Sequence, residues 1–203
     1  LNMSFDDDST ANTTASFTVT SLTASDATTL NLSGDAATTI TNTVDPTTAI
    51  LTKIDASTMT GKLSIAGTNL SSKGATVMLG TGDDTLTLAT ASGADTITLG
   101  GGKDTVVYNA IAQSDSDTDT ITDFVSGTDK LSFQFANPVL NFRGNKESFG
   151  QSQGALTTTG GAAAGLDAVY QVDDQILWID INDDGTLDNN DFRIKLTGVT
   201  ALT

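Results

Sequence analysis

Short runs of alternating apolar and polar residues recur through the first part of the chain. Each run has the period of two that is typical of a β-strand with one buried face. Glycine, asparagine, aspartate and serine lie between the runs, and no stretch of this region has a helical pattern. The runs are Leu30–Leu32, Thr39–Thr41, Lys62–Ile65, Thr76–Leu79, Thr85–Leu88, Thr96–Leu99 and Thr105–Val107.

This repetition predicts an all-β fold in which a parallel β-roll or β-helix solenoid occupies residues 18–131. The alternative is a β-sandwich, whose strands recur at a similar spacing. The solenoid is favoured because the later turns repeat in chemistry as well as in length. We divide the chain into an edge of a longer protein (1–17), a Thr-rich solenoid (18–75), a roll with acidic turns (76–131) and a β-sandwich-like cap with an Asp-rich hairpin (132–203).

Composition excludes several classes of function. The chain has 203 residues and a net charge of −16, which argues against binding to nucleic acid or to an anionic membrane surface. It has no cysteine and no histidine, so zinc fingers, thiol nucleophiles, Ser-His-Asp triads and disulfides are absent. No apolar stretch approaches the roughly 18 residues of a membrane span, so we expect no membrane insertion.

The acidic residues are almost all aspartate, with 24 Asp and a single glutamate, Glu147. Aspartate suits turns, whereas glutamate suits helices. Together with 37 Thr and 19 Gly, this bias indicates a β protein whose turns hold a hard cation. Nine of the 11 aromatic residues follow residue 107, so the first half must have a thin aliphatic core.

The turns between residues 79 and 107 share a Gly-x-Asp-x-aliphatic pattern, in which Asp84, Asp95 and Asp104 recur at steps of 11 and 9 residues. Glycine permits a tight turn with inward carbonyls, and aspartate adds a short carboxylate. Stacked turns could therefore surround Ca²⁺ with about six or seven oxygens. The alternative is a set of plain Gly-Asp turns without an ion, in which stacked carboxylates would repel one another.

These turns resemble the RTX (repeats-in-toxin) nonapeptide Gly-Gly-x-Gly-x-Asp-x-aliphatic-x, and the resemblance implies a parallel β-roll that binds several Ca²⁺ ions. The segment Asp119–Phe124, followed by Gly127–Leu131, is similar to the segment that closes such rolls in secreted bacterial RTX proteins. Leu79 and Ala91 stand where glycine is usual, which implies fewer or weaker calcium sites.

Alternation of the turns predicts which of them meet. The loops 80–84 and 100–104 should share one side of the roll, and the loop 93–95 should pair on the other side with the acidic run 115–119. The candidate calcium ligands of the roll are Gly80, Gly82, Asp84, Gly93, Asp95, Gly100, Gly102, Asp104, Asp115, Asp117, Asp119, Asp123 and Asp129.

A second motif lies near the C-terminus. Residues 180–191 place oxygen ligands at positions 1, 3, 5, 9 and 12 of a twelve-residue loop, with Gly185 at position 6. The motif is similar to EF-hand and dockerin loops, but its flanks alternate like strands, so the alternative is an Asp-Gly β-hairpin with solvated acids. Aspartate instead of glutamate at position 12 implies lower affinity. The candidate ligands are Asp180, Asn182, Asp184, Thr186 through its carbonyl, Asp188 and Asp191.

Two further resemblances suggest the use of the fold. The segment Leu51–Ser57 resembles repeats that precede RTX motifs in Gram-negative surface-layer proteins, and the last strands resemble the secretion-signal-like end of RTX proteins exported by type I secretion. They imply a secreted, cell-surface S-layer-type protein that folds on binding Ca²⁺ after export. Expected partners are copies of itself in a lattice, a cell-surface glycan and, during export, the type I secretion apparatus.

Other functions remain as alternatives. The chain could be the RTX export and folding module of a secreted hydrolase or adhesin. Catalysis by the chain itself is not expected, because Arg143 and Arg193 lie off the repetitive strands and Glu147 has no recognisable carboxylate partner. Recurrent Thr-x-Thr would suit ice binding, but uneven coil lengths argue against a flat ice face.

The segment 136–168 carries no clear pattern and could be a loop or a packing helix.

Overall fold

A computed structural model describes residues 1–7, 15–20, 22, 26–41, 51–68, 70–71, 73–88, 93–110, 117–135, 140–156 and 165–203. Nearly all its regular structure is β, which confirms the predicted fold class. The first twelve strands are β1 (Asn2–Ser4), β2 (Ser16–Val19), β3 (Thr29–Gly34), β4 (Ala37–Ile40), β5 (Lys53–Met59), β6 (Leu63–Thr68), β7 (Thr76–Met78), β8 (Thr85–Leu88), β9 (Thr96–Thr98), β10 (Thr105–Tyr108), β11 (Asp119–Ile121) and β12 (Lys130–Phe133).

These twelve strands alternate between two sheets. The odd-numbered strands follow one another in the first sheet, in the order β1-β3-β5-β7-β9-β11, and the even-numbered strands form the second sheet in the same way. Every pairing among them is parallel. The chain therefore winds as successive coils, each giving one strand to each sheet, and the predicted parallel β-roll is confirmed.

The core of the roll is a stack of aliphatic side chains. In the first sheet, Ile54, Val77, Ile97 and Ile121 occupy equivalent positions in consecutive coils, and all four are fully buried. The residues on either side of them, which are polar except for Met78, face outward, since successive side chains of a strand point to opposite faces. The small aliphatic residues thus fill the narrow space between the two sheets.

The C-terminal region continues the first sheet. It contains β13 (Leu140–Lys146), a five-residue helix α1 (Phe149–Gln153), β14 (Leu166–Gln171), β15 (Ile176–Asp180) and β16 (Phe192–Leu196). Strand β16 pairs in parallel with β11 and antiparallel with β15, and β14 and β13 follow at the edge. The segment 136–168, whose sequence has no clear pattern, therefore contains β13, the helix and the start of β14. Its residues 136–139 and 157–164 lie outside the described ranges.

Aromatic side chains fill the junction between the roll and the cap. The ring of Phe192, on β16, lies 5.1 Å from that of Tyr108 and 5.6 Å from that of Phe133, and Phe135 packs beside them at 5.0 Å from Phe192. The end of the chain is bonded to the same region, since the backbone N–H of Leu202 donates to Asn145. In the described parts of the chain, no helix has the length and apolar character to cross a membrane.

Two glycines of the turn 100–102 are required by the close approach of neighbouring coils. A Cβ atom on Gly100 would lie 1.9 Å from the carbonyl oxygen of Gly80, and one on Gly102 would lie 2.4 Å from that of Gly82. Both glycines also have positive φ angles, 85° and 118°, which favour glycine. A Cβ atom on Gly101, between them, would meet no atom of another coil closer than 4.0 Å.

Candidate metal centres

The first candidate centre is a column of carboxylates along one side of the roll. Asp84, Asp104 and Asp129 stand immediately before β8, β10 and β12, and we name them the first Asp ladder. The Oδ1 atom of Asp104 accepts a 2.8 Å hydrogen bond from the N–H of Asp84, and that of Asp129 accepts a 3.1 Å bond from Asp104. Each carboxylate is therefore held against the backbone of the preceding coil.

The predicted glycine turns lie beside this ladder. Gly80 donates its N–H to Oδ2 of Asp84 at 3.2 Å, and its carbonyl accepts from Gly101 at 2.9 Å in the next coil. The turns 80–82 and 100–102 thus stack directly on each other, which places Gly80, Gly82, Gly100 and Gly102 on one side of the roll, as alternation predicts.

Asp123 reaches the same turns from the following coil. Its carboxylate accepts hydrogen bonds from the N–H groups of Leu99 at 2.7 Å and Gly100 at 2.8 Å. It therefore joins the predicted ligands around the turn 100–102 and adds a negative charge there.

The first Asp ladder is electrostatically strained without a cation. Asp84 and Asp104 are 1% and 2% exposed, and this burial raises the pKa of each to about 6. The charges of Asp84, Asp129 and Asp123 contribute to this rise in the pKa of Asp104. The Oδ2 atom of Asp104 is buried and has no hydrogen-bond partner within the described residues. A buried anionic oxygen among like charges is the feature that a bound cation would stabilise.

The donor set fits calcium better than a metal held by side chains alone. Among the described residues, no three acidic side chains form a metal-holding group by themselves. Calcium accepts backbone carbonyls together with carboxylates, in flexible geometry. The glycine turns supply carbonyls next to the first Asp ladder, so the residues present fit a calcium ion that is bound by both kinds of oxygen.

A second column lies on the opposite side of the roll. The Oδ1 atom of Asp95 accepts from the N–H of Ala75 at 2.7 Å, and that of Asp119 accepts from Asp95 at 2.8 Å; we name Asp95 and Asp119 the second Asp ladder. Gly93, also predicted here, is buried and has a φ of 143°. The structure thus brings together Asp95 and Asp119, as alternation predicts.

The acidic run that precedes Asp119 contributes less to this column. Asp117 is exposed and acts on Asp119 through its charge. The predicted ligand Asp115 lies outside the described residues.

Burial raises the pKa of Asp119 to about 8 and that of Asp95 to about 6. The fully buried hydroxyl of Tyr108 interacts with Asp119, and burial together with this carboxylate raises the pKa of Tyr108 well above its ordinary value.

The third candidate centre is the loop that joins β15 to β16, residues 180–191, which we name the cap loop. Its first and last residues, Asp180 and Asp191, are both fully buried. Oδ2 of Asp180 accepts from the N–H of Gly185 at 2.9 Å, and Oδ2 of Asp191 accepts from that of Asp188 at 2.9 Å. Burial raises the pKa of both carboxyls, that of Asp191 to about 6.

The middle of the cap loop is more open. Asn182, Asp184 and Thr186 are exposed, and Asp184 accepts from the N–H of Thr186 at 2.7 Å. Asp188 is partly exposed and accepts from the N–H of Asn190 at 2.7 Å. The flanking segments are strands, as their alternation predicts. The cap loop is therefore a hairpin loop with a buried acidic base and a solvated tip, and its calcium binding stays a prediction.

Two contacts of these centres were not predicted from the sequence. Gln153, at the end of α1, accepts from the N–H of Leu187 at 2.7 Å and donates to the carbonyl of Gly185. Tyr108 lies against Asp119. No local sequence pattern identifies either residue. Gln153 lies in the segment 136–168, which has no clear pattern, and Tyr108 occupies what the sequence shows only as an ordinary apolar position of a strand.

Comparison with known families gives a match over nearly the whole chain. The model of the family described as Peptidase M10 serralysin C terminal matches residues 6–203, which is nearly the whole chain. Searches among curated proteins and among solved structures gave no significant match. The matched family is an RTX-type β-roll, in agreement with the fold and with the resemblance of the turns.

Proposed function

The chain belongs to the serralysin C-terminal family, and from this premise we propose that it is a calcium-dependent folding module of an exported protein. RTX β-roll domains generally bind Ca²⁺, and serralysin-type RTX domains belong to extracellular proteins exported by type I secretion. The family describes the C-terminal region of serralysin-type peptidases rather than their catalytic part. We propose accordingly that the chain itself is not an enzyme.

The observation that carries this proposal is the buried, like-charged first Asp ladder. Asp84 and Asp104 together with Gly80, Gly82, Gly100 and Gly102 would hold one calcium ion, and Asp123 and Asp129 would add charge beside it. The second Asp ladder would hold a further ion. Calcium would supply the positive charge that these buried carboxylates lack, so the coils could stack without mutual repulsion.

Linkage explains how such ions could control folding. Extracellular calcium modules have dissociation constants on the order of 10⁻⁴–10⁻³ M. An ion that binds only the folded chain, at a concentration tenfold above its dissociation constant, adds about 1.4 kcal/mol to the free energy of unfolding. Several ions add several times this amount, which is a large share of the stability of a small domain. The chain would stay unfolded in a calcium-poor cytosol and fold outside the cell.

Assembly into a surface lattice is the second candidate function. The observation that favours it is the regular outer face of the first sheet, where Asn2, Asn31 and Asp55 form a rank in register across β1, β3 and β5. The side chain of Asn31 donates to that of Asn2 at 2.7 Å, so the rank is ordered. An ordered polar rank of this kind could pack against another copy or a cell-surface glycan in an S-layer.

The folding proposal is tested by circular dichroism and size-exclusion chromatography during a calcium titration. A chelator should remove most of the β signal, calcium should restore it, and magnesium at the same concentration should not. Asp104→Ala should weaken the calcium response, because it removes a proposed ligand and leaves the N–H of Asp84 without its acceptor, at a cost of about 2 kcal/mol. Asp26→Ala, at an exposed turn, is the matched control and should respond like the parent chain.

Two results would contradict the folding proposal. One is full β content in chelator, and the other is an equal calcium response in both variants. Chromatography tests the lattice separately, because calcium-dependent large assemblies support it, whereas a compact monomer at saturating calcium contradicts it.

A further inference from the structure

We infer that the cap loop, residues 180–191, is a calcium site of its own, separate from the two Asp ladders of the roll. The loop belongs to the hairpin of β15 and β16. The last residue pair of this hairpin, Ile179 with Phe192, flanks the loop, with Ile179 just before it and Phe192 just after it. The inference depends on contacts within the cap, so it stands whether or not the roll binds calcium.

The base of the cap loop holds two buried negative charges. Asp180 and Asp191 are each 0% exposed, and their charges act on one another. The salt bridges within the described residues involve Asp55 and Asp167, and neither Asp180 nor Asp191 takes part in one. Burying a pair of carboxylates is costly unless a cation or hydrogen bonds compensate for the lost solvent.

Hydrogen bonds compensate only in part. Both oxygens of Asp191 accept backbone N–H groups, from Asp188 at 2.9 Å and from Ile181 at 3.3 Å. Oδ2 of Asp180 accepts from Gly185 at 2.9 Å, which turns this carboxylate toward the interior of the loop. The backbone N–H groups of Asp183 and Asp184 also lower the pKa of Asp180, but its Oδ1 atom is buried and has no partner at hydrogen-bond geometry in the part of the chain that the structure describes.

This unpartnered oxygen identifies the chemical class of the ligand. It is anionic and buried, and it faces a loop whose other polar groups are carboxylates, an amide and backbone carbonyls. A hard divalent cation that prefers oxygen ligands satisfies such a group, and calcium tolerates this mixed, irregular donor set better than magnesium does. Asp184 at position 5 and the carbonyl of Thr186 at position 7 would complete the site.

Gln153 connects this site to helix α1. Its side chain bonds the carbonyl of Gly185 and the N–H of Leu187, and so holds the peptide groups on both sides of Thr186. Leu187 packs with Trp178 and Val169 in a small apolar cluster. Gln153 is therefore a positioning residue, because it would orient the Thr186 carbonyl without touching the ion.

Terbium luminescence tests the site, because Tb³⁺ takes the place of Ca²⁺ and emits when a nearby tryptophan is excited. Trp178 is the only tryptophan of the chain, and it lies against Leu187 of the cap loop. The full chain should give Trp178-sensitised emission that calcium displaces. Asp180→Asn and Asp184→Asn should each weaken terbium and calcium binding at this site by about tenfold or more. Asp26→Asn, at an exposed turn outside the candidate centres, is the matched control and should leave this emission unchanged.

Asp184 is exposed, so Asp184→Asn decides the question if Asp180→Asn does not fold. Gln153→Ala should weaken calcium binding at the cap loop by roughly tenfold, as outer-shell changes do, while circular dichroism shows unchanged β content. Emission that persists at full strength in folded Asp184→Asn overturns the inference. So does emission that Asp104→Asn removes while circular dichroism shows unchanged β content, since the signal would then come from the roll. Loss of calcium-driven folding in the roll alone would count against the proposed function and leave the cap loop site standing.

Discussion

The two halves of the roll share one backbone and differ at one position in each coil. On one side, the position occupied by Asp84 and Asp104 carries Thr38 and Leu63 in the two preceding coils. On the other side, Ala75 stands where the next coil has Asp95. Both halves nevertheless keep the same parallel pairing.

The comparison separates the residues that form the coils from the carboxylates to which we attribute the proposed calcium dependence. Aliphatic residues at alternate positions are sufficient to define the coils, because both halves have them. In the first half, Leu30, Ile40 and Ile65 are fully or almost fully buried, and no buried carboxylate has been found in its described coils. The calcium dependence that we propose would thus come from one column of buried carboxylates on each side of the second half.

Removing calcium should have the largest effect and should act unequally on the two halves. As calcium is withdrawn, the repelling carboxylates of the second half should open strands β8–β12 first, and β3–β6 should lose their hydrogen bonds only at lower calcium. Hydrogen exchange measured by mass spectrometry during a chelator titration should show protection lost over residues 85–133 before it is lost over 29–68. Simultaneous loss in both halves would show that they form a single cooperative unit and would contradict the local account of calcium dependence.

A change in the glycine turn tests the close stacking of coils, which both halves share, because a Cβ atom on Gly34 or Gly61 of the first half would also meet a backbone oxygen of another coil. Gly100→Ala should lower the free energy of unfolding by about 3 kcal/mol or more, because its Cβ would overlap the Gly80 carbonyl and its φ is positive. Gly101→Ala in the same turn should change it by less than about 0.5 kcal/mol. Urea unfolding in saturating calcium measures both, and equal effects would show that the turn can relax.

The pH dependence of stability is the smallest effect and has opposite signs with and without calcium. Burial raises the pKa of Asp84, Asp95 and Asp104 to about 6 and that of Asp119 to about 8, from 3.8. The metal-free folded chain therefore binds more protons than the unfolded chain between about pH 4 and about pH 8, so its stability falls as the pH rises through this window.

Bound calcium reverses this trend, because the ions require ionised carboxylates and their affinity falls as the pH drops through about 6. The β signal in circular dichroism in chelator, and urea midpoints in calcium, each at about pH 5 and about pH 8, measure both signs. Chelated protein that becomes more stable as the pH rises would show that the Asp ladders are ionised and already compensated without metal.

Much of the roll could be predicted from local patterns. The period of two located strands such as Leu30–Leu32 and Thr85–Leu88, since each strand has to bury alternate residues. Alternation of turns also predicted that Asp84 meets Asp104 and that Asp95 meets Asp119, because a coil that gives one strand to each sheet repeats its geometry every second turn.

The cap could be predicted only in part. Its hairpin strands were visible in the alternation around the cap loop, but the pairing of β16 with β11 joins residues far apart in the chain. The contact of Gln153 with the cap loop is of the same kind, because it depends on where α1 packs. Such contacts follow from tertiary packing and leave no periodic trace in the sequence.

The repeated contact between successive Asp residues has a consequence for how this architecture can change in length. Successive Asp residues of the ladders are 20, 24 or 25 positions apart, and they meet in the same way in each case. The extra residues are absorbed between the strands. Gain or loss of a whole coil before β10 would therefore leave the remaining contacts between Asp residues in place, together with the aromatic junction of Phe192 with Tyr108 and Phe133. Duplication of a segment of about this size is the simplest route by which such a protein could acquire more ions.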